Sequence, residues 1–115
     1  MLRQGSDSVI FTVSGLGIRG QGGRGTLRPS EGGMIGLLRS LTAEVRGTDV
    51  RVNGLSPGPT DTAMSREWRS PEDQAQRLAS GTIGAPDDTV GTVVFLASNL
   101  SEHITGQVIL KCYWD

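Results

Sequence analysis

Ser14 directly follows the short β-branched and aromatic run Ser8 to Val13 and opens a glycine-rich stretch, Gly15-Leu16-Gly17-Ile18-Arg19-Gly20. A hydroxyl at the end of a strand can hydrogen-bond a substrate carbonyl, and G-x-G-x-x-G after a strand can cradle a pyrophosphate on helix N-terminal amides. The second chemistry fails on its surroundings. Gln21-Gly22-Gly23-Arg24-Gly25 prolongs the loop where a helix should open, and the next strand ends in Ser56-Pro57-Gly58 where a ribose-binding acid is needed. The stretch therefore reads as a structural loop. Its Arg-Gly pairs resemble RNA-binding segments, yet the loop has no aromatic residue on which bases could stack.

By itself, a serine after a strand is most often a turn residue. Proton transfer beside Ser14 would need an acid or base, and the only tyrosine and the only lysine, Tyr113 and Lys111, stand at the far end of the chain. His103 and Cys112 are each the single residue of their type, so no metal constellation is expected. Asp87-Asp88 and Glu72-Asp73 fall in the first turns of expected helices, where they compensate the helix dipole better than they would pair for catalysis.

The elements that must position Ser14 are legible from periodicity. Ser8 to Val13 reads as a buried strand of a parallel sheet. From Ser30 to Arg46, Met34, Leu37, Leu38, Leu41 and Val45 recur at helical spacing, widened by Ile35 and Ala43, with Pro29 ahead and Gly47 behind as stop signals. Gly32, Gly33 and Gly36 weaken its first turns by ~1 kcal/mol each relative to Ala, so close approach of another backbone is their expected use. Asp49 to Ser56 alternates like a strand, and Pro57-Gly58-Pro59 ends it. Ser70-Pro71-Glu72-Asp73 signals a short helix to about Ala79. Pro86-Asp87-Asp88 signals another, with Val90, Val93, Val94 and Ala97 as its apolar face. Gln107 to Leu110 can form a third strand. This order predicts an α/β fold, a three-stranded parallel sheet with helices on both faces.

With 115 residues, 36% apolar, the chain reads as one small domain, 1–115, around one core. Such a domain buries roughly 65% of its unfolded surface, so a missing strand or covering helix would be felt in stability. Eleven cations against twelve acids give a net charge of -1, which points to neither nucleic acid nor an anionic membrane. No apolar run is long enough to span a bilayer. The lone Cys112 excludes an internal disulfide and suits a reducing cytoplasm, and the N-terminal residues do not resemble a secretory signal.

As a set, these motifs resemble the C-terminal half of a short-chain dehydrogenase/reductase. In that family a serine follows the central strand, and a Tyr-x-x-x-Lys pair lies thirteen residues further on at the start of a long helix. Here the spacing runs from Ser14 to Leu27-Arg28-Pro29-Ser30-Glu31, so Leu27 and Glu31 hold the tyrosine and lysine positions. Arg51 to Thr62, with Pro57-Gly58-Pro59-Thr60-Asp61-Thr62, resembles the family's Pro-Gly segment; Asp87-Asp88, Phe95-Leu96-Ala97-Ser98 and Ile104-Thr105-Gly106-Gln107 continue the match over nearly the whole chain.

The resemblance implies a partial Rossmann-type doubly wound fold with three parallel strands at about 8–13, 50–56 and 107–111, and an NAD or NADP cofactor. It also implies a small alcohol or carbonyl substrate and homo-oligomerisation through helix 30–46. Ser14 would be the catalytic remnant. Pro57, Gly58, Thr60 and Thr62 would bind cofactor, with the Thr60 backbone at the nicotinamide amide and the Thr62 hydroxyl at a phosphate. Leu27 has no proton to move, and Glu31 sets a negative charge where the family places a positive one. The family's first crossover, with its glycine turn and ribose acid, would precede Met1. Trp68 lies where the family has a mobile substrate lid, and a packing role suits it equally. The expectation is a lineage of hydride-transfer enzymes and an isolated chain without turnover; the alternative is a non-catalytic association module.

Overall fold

The computed structural model describes residues 4–14 and 28–111. The glycine loop, Leu27 and Cys112 to Asp115 lie outside the described residues. Three strands, β1 (Ser6–Thr12), β2 (Asp49–Ser56) and β3 (Val108–Leu110), form one parallel sheet in the order β1-β2-β3. Val9 stands opposite Val52, and Gly54 opposite Val108. The helices are α1 (Arg28–Glu44), α2 (Ala63–Arg66), α3 (Pro71–Ser80) and α4 (Val90–Ala97), with 3-10 turns at Pro86–Thr89 and Asn99–Ser101.

β2 is the hub because its two faces carry different work. On one face Gly54 lets α1 approach: a Cβ there would stand 2.9 Å from Leu38 Cδ1 and 3.3 Å from Val108 Cγ2. Leu38 is fully buried as a result. Successive strand residues point to opposite faces, so Arg51 projects the other way, towards α4. Its guanidinium donates to the carbonyls of Leu96 at 3.1 Å, Ser101 at 2.9 Å and Ser98 at 3.2 Å, and to Ser101 Oγ at 2.6 Å. These carbonyls lie at the C-terminus of α4 and in the turn after it, and Arg51 adds a cation to the bonds they also accept from Ser8, Ser101 and Ile104. Helices therefore cover both faces, as expected.

Asn53, also fully buried in β2, clamps the approach to β3. Its Nδ2 donates to Ile104 O at 2.8 Å and its Oδ1 accepts from Gln107 N at 3.1 Å. Gly106 sits at φ 73°, donates to Val52 O at 2.7 Å, and brings the loop against Thr42 of α1.

Three expectations change. β1 is half-buried along Ser8 to Phe11 and not a fully buried strand, because it is an edge of the sheet among the described residues. In α4 the buried residue is Leu96, while Val90, Val93 and Val94 are 54%, 40% and 59% exposed. An almost uniformly apolar helix of two turns contains two candidate stripes, and docking over Ser8 and Arg51 selects the one through Thr92, Phe95 and Leu96. Finally, among the described residues a Cβ at Gly32, Gly33 or Gly36 would meet nothing within 4 Å, whereas one at Gly54 would meet the side chains of Leu38, Val108 and Val13.

The long helix starts at Arg28, ahead of Pro29, and the start signals of α3 hold. Ser70 Oγ accepts from Asp73 N at 3.2 Å, Pro71 opens α3, and Gly81 closes it at φ 73°. Asp88 Oδ2 accepts from Ala85 N at 2.9 Å, a capping bond where only dipole compensation was expected. No helix among the described residues is long and apolar enough to cross a membrane.

Candidate functional site

In a parallel sheet covered on both faces, ligands bind outside the carboxyl ends of the strands. β1 delivers Ser14 to that end. Val13 N donates to Leu55 O at 2.9 Å, which extends the ladder one residue beyond the strand and fixes where Ser14 emerges. Ser14 is half-buried and lines a concavity of about 320 Å3 with Thr12, Val13, Ser30 and Met34. The last two come from the first turns of α1, so one crevice joins the serine to the start of the long helix. Glu31 is the next residue of that helix, whose backbone alone is described there.

β2 delivers Pro57, Gly58, Thr60 and Thr62 to the same end of the sheet. Gly58 adopts φ 70°, which a side chain would oppose, and Thr60 Oγ1 donates to Gly58 O at 3.0 Å to hold the turn. A parallel bridge then ties the segment to Gly84: Asp61 N donates to Gly84 O at 2.8 Å, and Gly84 N donates to Pro59 O at 3.1 Å. In extended backbone adjacent peptide groups point opposite ways, so the bridge leaves Thr60's own N–H and carbonyl directed away from Gly84.

Thr62 is the N-cap of α2, a role not anticipated from sequence. Its Oγ1 accepts from Ser65 N at 3.2 Å, and Ser65 Oγ accepts from Thr62 N at 2.9 Å. This is a capping box, and the spacing Thr62-x-x-Ser65 was the signal for it. Accepting that bond leaves the threonine proton available to donate. Ser14 and the Pro57–Thr62 turn thus stand at the ends of adjacent strands.

A charged cluster missed in the sequence lies beside this turn. Arg66 grips Asp61 with both arms of its fork, Nε to Oδ1 and Nη2 to Oδ2 at 2.9 Å each. Gln74 Nε2 donates to the same Oδ1 at 2.5 Å. The Arg66 hydrogen bonds, then that of Gln74, hold the Asp61 carboxyl below its ordinary pKa of 3.8, and Asp61 in turn raises Arg66. The available signal was the pairing of an acid and an arginine across a capping box. Elsewhere, His103 is an exposed side chain 3.2 Å from Glu102, and no group of metal-ligating residues forms among the described residues.

Comparison with known proteins gives a consistent picture. A family model described as enoyl-(acyl carrier protein) reductase matches residues 1–111. The chain is 32% identical over 111 residues to the 3-oxoacyl-[acyl-carrier-protein] reductase FabG of Thermotoga maritima, covering 95% of this chain and 45% of that protein. It is 34% identical over 115 residues to dehydrogenase/reductase SDR family member 4 of Caenorhabditis elegans, covering 94% and 44%. Among solved structures, a Beutenbergia cavernae protein with NADP at low occupancy, provisionally named an NAD(P)-dependent gluconate 5-dehydrogenase, superposes with a TM-score of 0.81 at 34% identity, over 96% of this chain and 46% of its own. A short-chain dehydrogenase from Salmonella enterica serovar Typhi gives 0.78 at 25% identity, over 92% and 41%. The chain thus spans less than half the length of these relatives.

Proposed function

The chain belongs to the short-chain dehydrogenase/reductase family, and from that premise we propose that it descends from an NAD(P)-dependent alcohol or carbonyl oxidoreductase and keeps its framework without its proton-transfer groups. One observation carries the reading: Ser14 and the first turns of α1 share a crevice at the strand ends, while the tyrosine and lysine positions hold Leu27 and Glu31. Residues 1–115 make one folding unit in this reading, and the single cysteine of the sequence, Cys112, suits a reducing cytoplasm.

A nicotinamide cofactor supplies or accepts the hydride. The residues present fit its nicotinamide side. Thr60's N–H and carbonyl match a carboxamide's acceptor and donor, Thr62 Oγ1 has a proton for a phosphate, and Gly58 keeps a side chain out of the turn. Ser14 can donate to a substrate carbonyl. NADP accompanies the Beutenbergia structure, and NAD or NADP is the cofactor proposed for the whole protein, with a small alcohol or carbonyl as substrate. What fails is the proton path, since Leu27 carries none and Glu31 would repel phosphates.

The test is NADH- and NADPH-linked carbonyl reduction by the isolated chain, with buffer as the expected rate. Clear turnover that survives Ser14→Ala and repurification would sink the reading.

Association through α1 is a second reading with its own support. Leu37 is 47% exposed, and Gly32, Gly33 and Gly36 face no described residue, giving the helix a smooth, partly apolar outer face. A homo-oligomer through residues 30–46 is proposed. Sedimentation should show an oligomer that Leu37→Glu reduces to monomer.

A further inference from the structure

β1 pairs with β2 on one side only. Val13 N donates to Leu55 O, and Thr12 stands opposite Leu55 in the parallel ladder. In such a strand the N–H and carbonyl of one residue point to one side and those of the next point to the other. The backbone groups of Asp7, Val9 and Phe11 therefore face β2. Those of Ser8, Ile10 and Thr12 face outwards, where no described strand pairs with them. Ser8 N is bonded to Asp7 Oδ1 at 2.9 Å, at the start of the strand.

Short length, proline, lysine and bulges are the usual devices that keep such an edge from pairing. β1 runs from Ser6 to Thr12 in unbroken register with β2, contains neither proline nor lysine, and carries Asp7 as its one charge. Val9, Ile10 and Phe11 are only half-buried.

The outward pattern is complementary to itself. About a two-fold axis at Ile10, an antiparallel copy sets Ile10 opposite Ile10 and Ser8 opposite Thr12 as hydrogen-bonded pairs. Each Ile10 N–H then donates to the other Ile10 carbonyl, and each Thr12 N–H to a Ser8 carbonyl. On the opposite face Val9 meets Phe11 of the second copy, a stabilising pair of β-branched and aromatic side chains. The two Asp7 carboxylates end roughly 20 Å apart, beyond the screening length of about 8 Å. A register centred on Ser8 would bring those charges together, and one centred on Thr12 would run past the end of the strand.

We propose that two copies of this chain associate through β1, antiparallel about Ile10, so that their sheets join into one. The pairing depends on neither the function nor the α1 association proposed above.

The experiment uses the full chain carrying Leu37→Glu, so that association through α1 does not contribute. Sedimentation should show a concentration-dependent dimer, and amide exchange at Ile10 and Thr12 should slow as concentration rises. Thr12→Pro deletes an outward donor that the β1–β2 ladder does not use, and should weaken the dimer at least tenfold. The register is read by cross-linking in a Cys112→Ser background. Ile10→Cys should give disulfide-linked dimers on mild oxidation, because directly opposite Cα atoms stand about 5.5 Å apart. Thr12→Cys, about 14 Å from its counterpart, should not. A chain that stays monomeric overturns the proposal, as does a dimer that persists in a folded Thr12→Pro chain. Equal protection of both amides at every concentration would show the chain covering its own edge, which also overturns it. Cross-linking at Thr12→Cys in preference to Ile10→Cys does the same, and decides the matter if Thr12→Pro fails to fold.

Discussion

Leu38 Cδ1 lies 2.9 Å from the point that a Cβ on Gly54 would occupy, so α1 is seated on β2 only because residue 54 has no side chain. Both residues are buried, and Val108 of β3 closes the other side at 3.3 Å. Gly54→Ala must displace Leu38 or separate helix from sheet. It should cost about 1–3 kcal/mol by urea or thermal unfolding, whereas Gly36→Ala, on the open side of α1, should be neutral or stabilising by up to ~1 kcal/mol.

Arg51 closes the α4 end with four hydrogen bonds. Arg51→Ala removes one donor from each of three carbonyls, which keep bonds from Ser8, Ser101 and Ile104, and should destabilise by about 1–3 kcal/mol through loss of the charged hydrogen bonds. Arg51→Lys keeps the charge and loses the fork, so it should recover only part of that loss in the same unfolding measurement.

For Asp61, the folded-state pKa lies below the unfolded one, mainly through Arg66. Its contribution to stability is therefore present above the ordinary carboxylate pKa and disappears as the pH falls through the lowered folded value. Asp61→Asn should be less stable than the parent at neutral pH and converge with it in acid. Arg66→Gln should move the Asp61 carboxyl, followed by NMR, back up towards its ordinary value.

Leu27→Tyr combined with Glu31→Lys, in a chain completed by the N-terminal half of a related enzyme, supplies a phenol and an ammonium at the two sequence positions where the family carries them. General acid–base catalysis contributes about a hundredfold to ten-thousandfold, and a gain in NAD(P)H-linked reduction of that order over the unrestored chimera is expected. No gain would place further decay beyond these two positions.

Strand positions were legible because alternation and bounding Pro-Gly signals are local properties. The burial of β1 was not, since an edge differs from a centre only through its neighbours. The face of α4 was illegible for a related reason: Val90, Val93 and Val94 are as apolar as Phe95 and Leu96, and only docking against Ser8 and Arg51 separates the two stripes. In the candidate site, the strand ends that carry Ser14 and the Pro57–Thr62 turn were readable from alternation and the Pro-Gly stop, while their roles came only from the family resemblance. The cap at Thr62 stood in the sequence as Thr-x-x-Ser yet was outweighed by a ligand role. Gln74 offered no signal, because its burial arises where α3 meets the turn before α2.

Asn53 and Gly54 form the dipeptide most prone to deamidation, in which the glycine nitrogen attacks the asparagine side-chain carbonyl to close a succinimide. Here that nitrogen donates to Gln107 O at 2.8 Å, and the Asn53 amide is engaged at both ends. Folding thus withholds both reactants from one another. Each opening of the β2–β3 pairing re-exposes them, so the slow accumulation of isoaspartate at position 53 becomes a chemical record of how long the chain has spent unfolded.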